Sequence, residues 1–211
     1  SPISLESVQI MVSVCEANNV TPILRVQEIE RTLIQKSLET GIHGIQIANI
    51  NNVQDIKKFK NFSNYHPTGV RGLSPFTKAC SYTKIKTDSY TKSSNEQLIR
   101  VIQVEGKEAV ENINRIAENQ DYDICFIGLY DLSNSLGYPG KINDKVVKKV
   151  FEEIVNILKS YNVKVGSISN SLEQLKYLKG LGIDYITHSA DCAMTFSCYR
   201  EVVSSFRGGI D

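Results

Sequence analysis

Leu98-Ile99-Arg100-Val101-Ile102-Gln103-Val104-Glu105, followed after one helical pattern by Ile124-Cys125-Phe126-Ile127-Gly128, decides the fold. Both runs are short, mostly apolar and rich in β-branched residues, as strands buried on both faces are. Between them Val110, Ile113, Ile116 and Ala117 recur at helical spacing. Strand, helix and strand at this separation imply two parallel strands joined by a right-handed crossover.

The same alternation extends in both directions. Val20-Thr21-Pro22-Ile23-Leu24-Arg25-Val26 and Ile45-Gln46-Ile47-Ala48-Asn49-Ile50 precede the unit. Val163-Lys164-Val165-Gly166-Ser167-Ile168 and Tyr185-Ile186-Thr187-His188-Ser189 follow it, giving six candidate strands. Helical stripes lie between them. Val8, Met11, Val12 and Cys15 form one, with Ser4 as its N-cap; Ile29, Leu33 and Leu38 form a looser one that stops at Gly41. Val53, Ile56 and Phe59 mark a third, and the longest carries Val147, Val150, Phe151, Ile154, Ile157 and Leu158 after Asn143 or Asp144. Leu172, Leu175 and Leu178 form another, ended by Gly180 and Gly182, and a last helix is expected over 193–206. The pattern leaves a doubly wound sheet or a (β/α) barrel. No glycine fingerprint follows the first strand and no G-x-x-x-x-G-K-[ST] occurs, so neither dinucleotide nor P-loop chemistry is indicated.

Length and charge narrow the class. The 211 residues suit a single domain, 1–211, and are 41% hydrophobic and 22% charged, an ordinary globular balance. Twenty-four Lys and Arg against 23 Asp and Glu give a net charge of +1, so nucleic acid and anionic membranes are not expected partners. No apolar run reaches the roughly 18–20 residues of a membrane helix. Five cysteines, at 15, 80, 125, 192 and 198, contain no C-x-x-C; they read as free packing thiols of a reducing cytoplasm. Residues 74–94, rich in Ser, Thr, Lys and Tyr, break the rhythm and read as a long loop of the kind that often serves as a lid.

Chemistry in a parallel α/β fold collects at the carboxyl ends of the strands. Arg25 ends the first run. Gln103 and Glu105, two apart, share one side of the third. The fourth ends Gly128-Leu129-Tyr130-Asp131, and the last Ser189-Ala190-Asp191. Glu105 and Asp131 are separated by one βα unit and therefore belong at the tops of neighbouring strands. Two carboxylates brought together share a proton or hold a cation, and oxygen donors without Cys or His suit Mg²⁺ or Mn²⁺. Spacing alone equally allows solvated acids at strand–helix junctions, and for Arg25 a surface ion pair. His43 precedes a strand, His66 precedes Pro67, and only His188 sits near a carboxyl end; each reads first as a structural histidine.

At these positions the chain resembles the HpcH/HpaI family of metal-dependent (class II) 2-oxo-acid aldolases, related to the citrate lyase β subunit. The likeness rests on Thr21-Pro22-Ile23-Leu24-Arg25-Val26, Gly69-Val70-Arg71-Gly72, and Asn95-Glu96-Gln97 leading to Gln103-Val104-Glu105. It continues in Phe126-Ile127-Gly128-Leu129-Tyr130-Asp131-Leu132-Ser133 with Leu136-Gly137, and in Ser189-Ala190-Asp191. The resemblance implies a TIM (β/α)8-type barrel that makes or breaks a carbon–carbon bond beside a 2-oxo acid such as pyruvate, with an aldehyde as the other product. By that likeness Glu105 and Asp131 ligate the divalent metal, Mg²⁺ or Mn²⁺, and Arg25 stabilises the enolate. Gln103 and the backbone N–H groups of Tyr130 and Asp131 hold the substrate.

Three departures accompany the likeness. The family's catalytic His, in a D-x-E-H-type motif ending its second strand, falls immediately before Ser1, so the first two of eight strands are not in this sequence. The expectation is a fragment, an incompletely traced chain, or a barrel completed by a neighbour, because open parallel edges are unfavourable. The family Asp that supports the His appears as Glu39, assigned here a catalytic part. The usual Pro-Ala before the metal Asp is Leu129-Tyr130, and Tyr130 is expected to reshape the oxo-acid pocket. Two alternatives stand beside the aldolase: an acyl-CoA lyase using Lys78, Lys84, Lys86 and Lys92 for phosphates, and a degenerate barrel that binds a metabolite. The resemblance also implies a homo-oligomer (a hexamer or trimer of dimers), with the last helix packing on a neighbour and 74–94 covering the aldehyde end.

Overall fold

The computed structural model describes residues 3–84 and 86–208; Ser1, where the resemblance begins, lies outside them. Six strands, β1 (Ile23–Val26), β2 (Gly44–Ile47), β3 (Ile99–Val104), β4 (Ile124–Ile127), β5 (Lys164–Ser169) and β6 (Tyr185–His188), pair in chain order, all parallel. The sheet is a curled half-barrel with β1 and β6 at its edges. The full (β/α)8 barrel implied by the resemblance is therefore not what the described residues form. All six expected strands are present; most are trimmed, while β2 begins one residue earlier, at Gly44, and β5 ends one residue later, at Ser169.

Ten α-helices are described: α1 (Leu5–Ala17), α2 (Arg31–Glu39), α3 (Val53–Ser63), α4 (Thr87–Gln97), α5 (Lys107–Glu111), α6 (Ile113–Glu118), α7 (Leu129–Ser135), α8 (Lys145–Ser160), α9 (Leu172–Gly180) and α10 (Asp191–Arg207). Local chemistry fixes their starts. Ser4, Asn52, Asp144 and Ser171 each accept a backbone N–H of the first turn, and Glu30 accepts two, from Thr32 and Leu33. Gly41, at φ +89°, supplies the left-handed residue just beyond α2. The stripe at 110–117 is split into α5 and α6 at Asn112, whose amide donates to Asn51 O at 3.1 Å.

The core lies between the sheet and these helices. Ile45, Ile47, Ile102 and Ile127 from the strands meet Phe59 of α3, Ile116 of α6, and Phe151 and Leu158 of α8, all essentially inaccessible. Each such side chain stabilises the fold by about 1.5–3 kcal/mol. Cys80 and Cys125 are buried packing residues as expected, Cys15 is half-buried, but Cys192 and Cys198 are exposed on α10.

Two further expectations are corrected. Residues 74–94 are not a long loop: a 3-10 helix (Lys78–Thr83) and α4 occupy most of the segment. Because α4 buries no residue, it lacks the apolar stripe that would have announced it. The segment runs into the amino end of β3, so it cannot cover the carboxyl end of the sheet. The other correction concerns the end of the fourth strand: β4 stops at Ile127, and Leu129, Tyr130 and Asp131 open a short helix rather than prolong the strand.

Candidate active site

The site is built on β3 and the β4–α7 junction. Gln103 and Glu105 face one side of β3, as alternation requires, and Gln103 Nε2 donates to Glu105 Oε2. Gln103 Oε1 accepts from Gln46 Nε2 at 2.6 Å, so three buried polar side chains form a relay across β2 and β3. The backbone N–H of Asn49, a residue at φ +57°, donates to Glu105 Oε1 at 3.1 Å. Gly128 closes the other side. A Cβ there would stand 2.5 Å from Glu105 Oε2 and 3.0 Å from Gln103 Nε2, so only glycine leaves room for the pair.

Glu105 is 5% exposed. Its burial pushes its pKa above the ordinary carboxylate value; the Gln103 and Asn49 hydrogen bonds pull it down, and the neighbouring Asp131 carboxylate raises it again. No Lys, Arg or His pairs with Glu105 among the described residues. A desolvated carboxylate beside a second one, without a counter-charge, fits a hard divalent cation that keeps waters in its other positions. Among the described residues no third carboxylate, Cys or His joins them.

Two cavities meet at Asp131, and Glu105 lines one of them. One, of about 530 Å³, is lined by Arg25, Glu28, Asn49, Glu105, Asp131 and Asn134. The other, of about 400 Å³, is lined by Arg25, Gln46, Gln103, Phe126, Tyr130 and Asp131 among others. Arg25 and Asp131 belong to both. Asn170 Nδ2 donates to the Tyr130 hydroxyl at 2.7 Å, fixing that ring on the cavity wall.

The structure thus brings together Arg25, Gln103, Glu105, Tyr130 and Asp131. It does not bring Glu39. Helix α2 runs back from the carboxyl end of β1, so its last residue reaches the opposite edge, where Glu39 accepts from Gln35 at 3.0 Å and lines a different cavity with Gln9 and Lys78. Lys78 pairs with Glu16 at that same edge, which places it away from the carboxylates. His188 is exposed beyond both cavities, and His43 lies 3.8 Å from Glu16. Gln46, Asn49 and Asn170 were missed by the sequence reading; for Gln46 the signal was a polar residue inside the fully buried run Gly44–Ile47.

Comparison with known proteins places the chain among the carbon–carbon lyases. More particularly, the family model for HpcH/HpaI aldolase/citrate lyase matches residues 6–185, and the chain belongs to that family. It is 26% identical over 185 residues to a 2-keto-3-deoxy-L-rhamnonate aldolase of Salmonella gallinarum, covering 87% of this chain and 67% of that protein. It is 24% identical over 189 residues to a hydroxypyruvate/pyruvate aldolase of Pseudomonas aeruginosa, covering 89% and 70%. The crystal structure of a HpcH/HpaI aldolase/citrate lyase family protein from Burkholderia cenocepacia J2315 superposes with a TM-score of 0.92 at 23% identity, over 98% of this chain and 82% of that one.

Proposed function

We propose that the chain is a divalent-metal-dependent class II aldolase that cleaves a 2-oxo-4-hydroxy acid to pyruvate, or a close relative, and an aldehyde. The observation that carries this reading is the buried Glu105 carboxylate, beside Asp131 and paired with no cationic side chain among the described residues, in a cavity that shares Arg25 and Asp131 with its neighbour. Names of the aldolase relatives support the substrate class.

Glu105 and Asp131 would hold the metal, Mg²⁺ or Mn²⁺, which when bound supplies Lewis-acid polarisation of the oxo acid. The chain's own residues do the rest. Arg25, exposed on the wall common to both cavities, orients the substrate carboxylate and offsets the negative charge that develops at the oxo-acid end. Gln103 is held by Gln46 and Glu105 and so presents a fixed amide to the substrate. Backbone N–H groups of the first turn of α7, which has no side-chain cap, face the same end. Tyr130, anchored by Asn170, narrows the cavity and sets the size of the acid accepted. Among the described residues no histidine lines either cavity.

A homo-oligomer is part of the same reading. Met194, Phe196, Tyr199, Val202, Val203 and Phe206 of α10 are all exposed, a surface that packing on a neighbouring copy would cover. Five free cysteines support a cytoplasmic location, and no helix of the described residues is long and apolar enough to cross a membrane.

The decisive assay measures 2-oxo-acid release from a panel of hydroxy-oxo acids with Mg²⁺ or Mn²⁺. Turnover should vanish on chelation and fall by about 10³-fold in Glu105→Gln; turnover unchanged in both would overturn the reading.

A further inference from the structure

We propose a second ligand site at the opposite, amino-terminal edge of the sheet: a pocket for a small oxyanion, centred on Arg71. A cavity of about 490 Å³ opens among the amino ends of β1, β2 and β3, and Arg71, Lys78, His43, Ser81, Ser93 and Ser94 lie in its wall. It shares no lining residue with the two cavities at Asp131.

Arg71 is 6% exposed. Its guanidinium stacks over the Tyr65 ring, 4.4 Å from the centroid, and Nη1 donates to Ser94 Oγ at 3.3 Å. Nε and Nη2 have no hydrogen-bond partner, and no ion pair joins the group to a carboxylate among the described residues. A buried cation in that condition is costly unless something else compensates it.

Its neighbour Arg100 shows what compensation looks like here. Arg100 is 7% exposed, yet its guanidinium donates to Leu98 O at 3.0 Å, Asn95 O at 3.2 Å, Ser63 Oγ at 3.4 Å and Asn64 Oδ1. The fold engages one buried arginine on every side and leaves two donors of the next one, in the wall of this cavity, without acceptors. The two guanidiniums are close enough to repel, which sharpens the need for a counter-charge at Arg71.

The rest of the wall has the same character. Among the described residues Glu16 is its one carboxylate, and it is already paired with Lys78 and faced by His43. Serine hydroxyls supply neutral donors. A planar fork of donors, a second ammonium and hydroxyls recognise a phosphate or carboxylate group. The volume exceeds an inorganic ion, so the oxyanion belongs to a small organic molecule. This site does not depend on the aldolase reading.

The test uses the whole chain, with inorganic phosphate and acetate as probes, followed by calorimetric titration and thermal unfolding. One of the two anions should bind saturably and raise Tm; which one does so identifies the phosphate or the carboxylate as the recognised group. Arg71→Met should abolish the response, and Lys78→Gln or Ser94→Ala should weaken affinity by about tenfold, as loss of one charged or hydroxyl contact implies. The latter two variants carry the test if Arg71→Met does not fold. Arg25→Met should leave the response intact. Absence of saturable binding by either anion, its persistence in Arg71→Met, or its loss in Arg25→Met would each overturn the proposal.

Discussion

Each end of the sheet holds a buried charge that no ion pair answers among the described residues: a carboxylate at one, a guanidinium with unpaired donors at the other. At the carboxyl end stands Glu105, 5% exposed; at the amino end stands Arg71, 6% exposed. Their surroundings differ in kind. Glu105 is gripped by two donors and faces a second carboxylate, so the local field asks for a cation. Arg71 has an aromatic face beneath it, one hydroxyl and another guanidinium nearby, so the field there asks for an anion. Burial of a charge alone says nothing about use. The set of partners that the fold supplies, and the one it omits, gives the sign of what is to be bound.

The sharpest way to break this contrast is Glu105→Gln, which keeps the shape and removes the charge. Metal-dependent turnover should fall by about 10³-fold, on the scale of losing one preorganised electrostatic contact. Steady-state kinetics with the Mg²⁺ enzyme checks it. Next in size is Gly128→Ala. The added methyl meets Glu105 Oε2 and Gln103 Nε2 at distances no relaxed contact allows, so stability should drop by about 1–3 kcal/mol and turnover should fall with it. Urea unfolding and the same kinetics report both.

At the other end, Arg71→Met should leave stability within about 1 kcal/mol of the parent, because an uncompensated charge is exchanged for an apolar chain of similar reach. Its turnover should be unaltered. A loss of several kcal/mol in thermal unfolding would mean that Arg71 is a structural tie after all, like Arg100. The smallest effect belongs to an ordinary ion pair at the same edge, Lys60 with Asp121. The hydrogen bond from Lys60 holds the Asp121 carboxyl below its usual value of 3.8. A group depressed in the folded state adds stability above its unfolded pKa and loses it as pH falls through the folded one. Lys60→Met should therefore cost about 0.2–1 kcal/mol at neutral pH and little in acid, the pair being partly exposed. Tm measured across pH distinguishes the two regimes.

Much of this was readable before any coordinates. Apolar β-branched runs are short and unambiguous when a strand is buried on both faces, which is why all six strands, and the approach of Glu105 to Asp131, followed from spacing. The failures have physical causes. Helix α4 packs no residue into the core, so periodicity had nothing to report. Helix α7 begins within the residues that look like a strand end, because Gly128 turns the chain where the carboxylate needs space. Glu39 was assigned by likeness, and a helix that doubles back carries it to the edge opposite Glu105, which spacing alone could not report. Arg71 sits in a quoted motif, but only coordinates reveal which of its donors lack acceptors.

The cysteines have a practical consequence. Burial withholds Cys80 and Cys125 from reagents and pushes the Cys125 thiol far up the titration scale, whereas Cys192 and Cys198 stand in solvent on one helix. A thiol-reactive fluorophore should consequently decorate α10 first, giving an unengineered reporter whose emission follows what that helix touches.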